Sequence, residues 1–192
     1  MPPQPTTARG AATSRRILDA AAVEFAERGI AGARIDRITA AAQTNKAQVY
    51  GYFGSKDGLF DAVVADRADR LTNAITFDPA DMAGFAVAMY DETLRHPELV
   101  RLATWLRLER HPAGRLTPGS GDEPKFRAIA AAQAAGRVRA GEPSEIFALV
   151  LAMAFAWSPA SSFYAATPEE PAADHERRRA LLRESVERAT AP

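Results

Sequence analysis

The sequence predicts an all-α fold. Apolar residues recur at helical spacing through most of the 192 residues. No segment alternates apolar and polar residues as a half-buried strand does, and no internal repeat is visible. Sharp Pro, Gly and Asn punctuation separates the helical stretches. These three observations describe a small N-terminal unit of three helices that leads through a fourth into a larger helical bundle.

Taken in order, residues 1–13 are rich in Pro, Thr, Ala and Gly without periodicity and read as a disordered arm. Ser14 reads as an N-cap. Ile17, Leu18, Ala21, Ala22 and Phe25 form an apolar stripe, and Gly29 ends the first helix. Ile35, Ile38 and Ala42 mark a short second helix. Asn45 caps a third that runs to Phe53. Ser55 caps a fourth, with Leu59, Phe60, Val63, Val64, Ala68 and Leu71 on one face. After the Asp78-Pro79 break, helices are expected over about 80–95, 98–110, 123–137, 144–165 and 173–189. His96-Pro97, His111-Pro112, Thr117–Gly121, Gly141-Glu142-Pro143 and Thr167–Pro171 separate them.

Composition narrows the functional classes. The chain has no cysteine, which excludes a disulfide framework, a thiolate metal site and a cysteine nucleophile. A reducing, cytoplasmic location fits that absence. The start, Met1-Pro2-Pro3-Gln4-Pro5, lacks the apolar core of a secretory signal. The most apolar run, Ile146–Trp157, would span about 18 Å as a helix, short of a bilayer core, and Ser158-Pro159 interrupts it. It reads as a buried helix, and no membrane partner is expected. Net charge is zero, yet residues 1–60 hold eight Lys/Arg against five Asp/Glu. The mild excess permits a DNA-facing N-terminus and an acidic remainder. The bias to Arg over Lys and the many alanines suit a GC-rich bacterial genome.

Helices two and three, joined by a tight turn, have the form of a helix-turn-helix, whose second helix reads a DNA major groove. On a helical wheel Val49, Tyr52 and Phe53 fall on one side. Ala47 and Gly51 fall opposite, flanked by Lys46, Gln48 and Tyr50. One face can pack on helices one and two; the other lets the backbone approach a groove. Gln48 can pair with adenine, and the Ala47 methyl can meet a thymine methyl. Tyr50 and Tyr52 can reach phosphates. Lys56 opens the next helix, whose N-terminal amides also attract phosphate. A purely structural trihelical unit, with Tyr50 in its core, is the competing reading.

The segments "SRRILDAAAVEFAERG", "ARIDRITAAA" and "NKAQVYGYFGSKDGLF" together resemble the N-terminal domain of the tetracycline-repressor (TetR) family over about residues 14–72. Helix order, the Tyr-x-Tyr-Phe and the Ser-Lys-Asp-x-Leu carry the resemblance. It implies a homodimer that binds a palindromic operator and releases it on binding a small molecule. Its phosphate-contacting positions correspond to Tyr50, Tyr52 and Lys56. The chain departs from the family at Ala42-Gln43-Thr44-Asn45, where Ala-Gly-Val-Ser is usual. Gln43 must then adopt a turn conformation that glycine takes easily, and Thr44 replaces a core valine. The usual Ser/Thr cap of helix two is Arg34, which can supply a phosphate contact. The DNA-binding set is therefore Arg34, Asn45, Lys46, Ala47, Gln48, Tyr50, Gly51, Tyr52 and Lys56. The expected division is an arm over 1–13, a helix-turn-helix domain over 14–60, and an effector-binding and dimerisation domain over 61–192.

In the bundle, most aromatics read as core, with a subset lining an apolar effector pocket. Met89, Trp105 and Phe126 are the candidates. Arg101 and Arg107 share the helix of Trp105 and read either as partners for an anionic ligand or as solvated surface residues. The helix around 146–157 is apolar nearly all round and must be covered on more than one side. Phe147, Leu151 and Phe155 from it, with Leu181, Leu182 and Val186 of the last helix, are the expected dimer interface, as in the family. The alternative is that one chain buries both faces itself. Effector identity stays open.

No enzyme is expected. His96 and His111 lie about 22 Å apart along one helix, too far to share a metal. Asp91-Glu92 and Glu169-Glu170 are adjacent pairs whose side chains diverge. No nucleophile elbow, phosphate loop or dinucleotide fingerprint is present, and neither cofactor nor metal is expected. A DNA-binding protein without ligand control is the alternative function. With control, a coupling of ~3 kcal/mol between effector and operator lowers operator affinity roughly a hundredfold.

Overall fold

The computed structural model describes residues 8–110 and 122–192. Among them are nine helices and no strand: α1 (Ala8–Gly32), α2 (Ile35–Ala41), α3 (Lys46–Phe53), α4 (Lys56–Ala74), α5 (Met82–Arg95), α6 (Pro97–Arg110), α7 (Glu123–Ala134), α8 (Pro143–Ala154) and α9 (Ala172–Thr190). Described residues up to Leu71, together with Glu98–Arg110, form one compact unit, the head. Thr72–Pro97 and Asp122–Pro192 form the other, the bundle. The expected breaks at His111-Pro112 and Thr117–Gly121 lie outside the described residues, as does the start of the arm. Among the described residues, no helix is long and apolar enough to cross a membrane.

Four boundaries differ from the sequence reading. Residues 8–13, expected in the irregular arm, are helical, so α1 starts ahead of Ser14. The Ala11-Ala12 pair favours helix, and the Thr13 hydroxyl donates to the Arg9 carbonyl at 3.0 Å. At its other end α1 continues beyond Gly29 through a break, where Gly29 has φ 67° and ψ −179°. α8 stops at Ala154 instead of reaching 165. Pro159 cannot donate to a preceding turn, and the chain folds back so that the Ala166 amide meets the Trp157 carbonyl at 2.9 Å. α7 ends at Ala134, where Gly136 takes φ 66° and the Arg137 amide closes onto the Ala132 carbonyl at 2.9 Å.

The head core is built from the periodic stripe of α1. Ile17 and Phe25 are fully buried with Ile38, Val49, Leu59, Phe60 and Val63, and Leu102 and Leu106 of α6 join them. Phe25 and Phe60 meet edge to face, with ring centroids 5.2 Å apart. Each such residue contributes roughly 1.5–3 kcal/mol on burial. The break at Gly29 leaves backbone groups without helical partners, and other helices satisfy them. Glu109 of α6 accepts from the Ile30 and Ala31 amides at 2.8 and 3.0 Å. The Trp105 indole donates to the Ala26 carbonyl at 3.2 Å. Arg110 of α6 pairs with Asp57 at 3.2 Å and with Asp61 of α4. Trp105 thus belongs to the head, a different unit from Met89 and Phe126, with which it was expected to line an effector pocket.

In the bundle, α5 packs against α8 and α9, and α7 against α8. Phe147 of α8 lies 5.6, 5.8 and 5.7 Å from the rings of Phe77, Phe85 and Phe126. Phe147, Leu182 and Val186 are buried within their own chain. That corrects their expected place on a dimer face, because α8 and α9 turn them towards α5 and α7. Leu151 and Phe155 are half-buried, and Leu181 is 54% exposed.

Candidate DNA-binding site

The α2–α3 corner is assembled by local chemistry. Asn45 is extended, with φ −128° and ψ 164°, and its side chain accepts from the Gln48 amide at 2.9 Å, capping α3. Asn45 is therefore spent on the cap. Gln43 takes φ 50°, the left-handed conformation that its place in the turn demanded, and it alone does so among the described non-glycine residues. Thr44 does not fill a core position. It is half-buried, and its hydroxyl contacts the Gln48 side chain.

α2 has no cap from its own N-cap residue, Arg34. Glu24, reaching over from α1, accepts from the Arg34 amide at 2.9 Å and from Arg37 Nε at 2.7 Å. Glu24 is 8% exposed. Burial pushes its carboxyl up, but the Arg37 guanidinium and the Arg34 amide outweigh this and hold it below the ordinary range. Sequence reasoning missed this residue. The available signal was a carboxylate placed three residues after Ala21 and beside Phe25, inside the apolar stripe of α1.

α3 presents two distinct faces. Val49 and Phe53 are buried and Tyr52 is half-buried, so one side packs on the head core. Lys46, Ala47, Gln48 and Tyr50 are exposed, with Tyr50 at 45%. Gly51 is exposed too, and a Cβ built there would meet nothing within 4 Å. Protein packing therefore does not require glycine at this position. Arg34 is exposed at the start of α2.

Two lysines have partners within the head. Lys46 pairs with Asp36 of α2 at 2.7 Å, both side chains being more than half exposed. An exposed pair of this kind contributes little and is easily exchanged for another anion. Lys56 donates to the Ala31 and Ala33 carbonyls at 3.3 Å each. It closes the end of α1 and ties the start of α4 to it.

Two family descriptions match the chain. "Bacterial regulatory proteins, tetR family" covers residues 17–63, and "Tetracyclin repressor-like, C-terminal domain" covers residues 81–188. The chain is 45% identical over 98 residues to the HTH-type transcriptional repressor SCO4008 of Streptomyces coelicolor, covering 51% of each protein. It is 34% identical over 97 residues to the HTH-type transcriptional repressor NicS of Pseudomonas putida, covering 47% of this chain and 46% of NicS. The match thus spans about half the length of these curated relatives. The solved structure of the transcriptional regulator SCO4942 from Streptomyces coelicolor superposes with a TM-score of 0.77 at 36% identity, over 93% of this chain and 98% of that one. These relatives are regulators, not enzymes. The chain belongs to the TetR family of transcriptional regulators.

Proposed function

We propose that the protein is a repressor that binds a palindromic operator as a homodimer in the cytoplasm and lets go when a small organic molecule binds its bundle. The observation that carries the reading is the two-sided α3. Its inner face is locked into the head, while Ala47, Gln48, Tyr50 and Gly51 face outwards with an unneeded glycine among them. A helix capped by Asn45 and stripped of bulk on one side suits entry into a major groove. In this reading Gln48 and Ala47 touch base edges, while Tyr50, Tyr52, Arg34 and Lys46 contact phosphates. Lys56 acts mainly by holding α4 to α1.

Two heads are needed to read two half-sites. The exposed apolar residues of α8 and α9, Leu149 and Leu181, with Leu151 and Phe155 beside them, support pairing through these helices. SCO4008 and NicS are repressors by description, which supports the direction of control. Met89 and Phe126 remain as effector-facing candidates in the bundle; Met89 is 4% exposed.

The test is operator selection. Random duplexes are bound to purified protein, recovered and sequenced. An enriched inverted repeat is the expected result. Sequence-indifferent, salt-sensitive binding by a well-folded dimer would remove the proposal.

A further inference from the structure

The bundle holds a polar cluster that operator reading does not use. Tyr90 of α5 is 1% exposed, and its hydroxyl lies 2.7 Å from Nδ1 of His175 in the first turn of α9. His175 is itself 6% exposed. Arg178 follows three residues later, on the same face of α9. One terminal nitrogen of Arg178 holds Glu170 at 2.6 Å, and its guanidinium lies 5.2 Å from the centre of the Tyr164 ring. The Arg178 cation lies close enough to the Tyr90 hydroxyl to interact with it electrostatically. Trp157 packs edge-on against Tyr90 at 5.9 Å. Among the described residues, two polar atoms of this cluster are buried with no hydrogen-bond partner: His175 Nε2 and the second terminal nitrogen of Arg178.

An unpaired buried polar atom is costly, and an unpaired charged group costs more. Two on one helix face, beside rings that could have packed dry, call for an occupant. The proton arrangement says which kind. A guanidinium only donates. The Tyr90 hydroxyl turns its lone pairs towards the Arg178 cation, so its proton goes to His175 Nδ1. A neutral His175 then carries its own proton on Nε2. Both unpartnered atoms are donors, so the missing group is an oxygen acceptor. Glu170 does not fill this role. Its carboxylate is already turned to the Thr167 amide at 2.9 Å and to the other arm of Arg178.

We propose that His175 Nε2 and Arg178 form a subsite for the carboxylate of a small organic acid with a flat apolar body. Two donors match the two oxygens of a carboxylate. The rings of Trp157 and Tyr164 offer flat faces for the rest of the molecule. Tyr164, 45% exposed, is the outermost ring of the cluster, on the connection between α8 and α9. The assignment rests on the reading of this chain as a ligand-controlled regulator, and it names the chemistry of the ligand.

The test uses the full-length protein with 15N-labelled histidine. The chain has three histidines, so His175→Gln identifies the signal. Acetate, benzoate and phenylacetate are titrated at constant ionic strength, with benzyl alcohol as the neutral control. The expected result is a saturable shift of the His175 Nε2 signal with benzoate or phenylacetate, and binding at least about tenfold weaker for the alcohol. Arg178→Lys keeps a positive charge for Glu170 but loses the second donor arm. Calorimetry should show benzoate binding weakened by about tenfold or more in Arg178→Lys, in protein that still melts cooperatively. No saturable shift with any of the three acids at ~10 mM, beyond the millimolar range of useful affinity, overturns the subsite. So does a Nε2 proton protected from exchange and indifferent to acid, which identifies a buried water as the partner. Operator binding is followed in the same samples. Acid binding without operator release leaves the subsite standing and removes ligand control. Release by another compound with a silent His175 signal does the reverse.

Discussion

Gly51→Ala separates packing from groove approach by moving stability and affinity in opposite directions. Gly51 lies inside α3, its φ is not positive, and a Cβ there meets no atom within 4 Å. Nothing in the protein opposes the methyl. Glycine in a helix interior costs roughly 0.5–1 kcal/mol relative to alanine. The substitution should therefore stabilise the protein by about that amount, raising Tm by roughly 1–4 °C in a chain of this size. The same methyl projects from the face beside Ala47 that is proposed to approach DNA. Overpacking a close interface by one methyl costs typically 1–3 kcal/mol, so operator affinity should fall roughly fivefold to 150-fold. Scanning calorimetry measures the first effect, and fluorescence anisotropy on the selected operator the second. A higher Tm with unchanged affinity would show that α3 does not approach DNA at this position. A lower Tm would refute the reasoning at its base, because position 51 would not be open.

Further expectations concern the head and the dimer. Gly29→Ala places a side chain where φ is 67° and ψ −179°, a glycine-only region, and its Cβ overlaps the Glu109 carboxylate. A loss of ~2–3 kcal/mol is expected, read by calorimetry as a fall in Tm of about 4–12 °C. Glu24→Gln should flatten the acid limb of stability. The folded Glu24 carboxyl titrates below its unfolded value, so its contribution is complete above the unfolded value and disappears as pH falls through the lower folded one. Urea unfolding between about pH 6 and pH 3 checks this, and an unchanged slope in the variant would count against the Glu24 cap. Leu181→Glu alters a residue that is 54% exposed. It should change monomer stability by no more than about 0.5 kcal/mol while shifting light scattering from dimer to monomer.

The head was legible because its determinants are short-range. Asn45 caps a helix three residues away, and Gln43 has to turn within one residue of Ala42. Val49 and Phe53 announce the inner face of α3 by spacing alone. The bundle was less legible for equally physical reasons. Around α8 the apolar residues leave no polar stripe to fix a phase, so sequence could not say that Phe147 points inward while Leu149 stays exposed. On α9, Leu181 and Leu182 are adjacent and cannot share a face. The structure buries Leu182 with Val186, four residues on, and leaves Leu181 outside. The Tyr90–His175 contact joins residues 85 positions apart, beyond the reach of any local pattern. Glu24 was missed because a single carboxylate in an apolar stripe reads as noise until the amide it caps is known.

The grip of α6 on the head sets Trp105 apart from the bundle residues with which the sequence grouped it. Its indole looks like a ligand-facing group only when α6 is counted with the bundle. In the structure Trp105, Glu109 and Arg110 sit on one end of α6 and hold, in turn, the α1 carbonyl before the break, the two amides after it, and the first turns of α4. These bonds replace helical partners that Gly29 removes, so removing the grip leaves the amide of buried Ile30 unpaired at a cost of about 1–3 kcal/mol. Lys56 closes the same end of α1 from the other side. The α2–α3 corner begins two residues after α1 ends, and Glu24 ties it back to α1. The placement of the exposed α3 face is therefore set by the α1 break, and the break is held by α6. In chain order α6 follows α5 directly, at His96-Pro97.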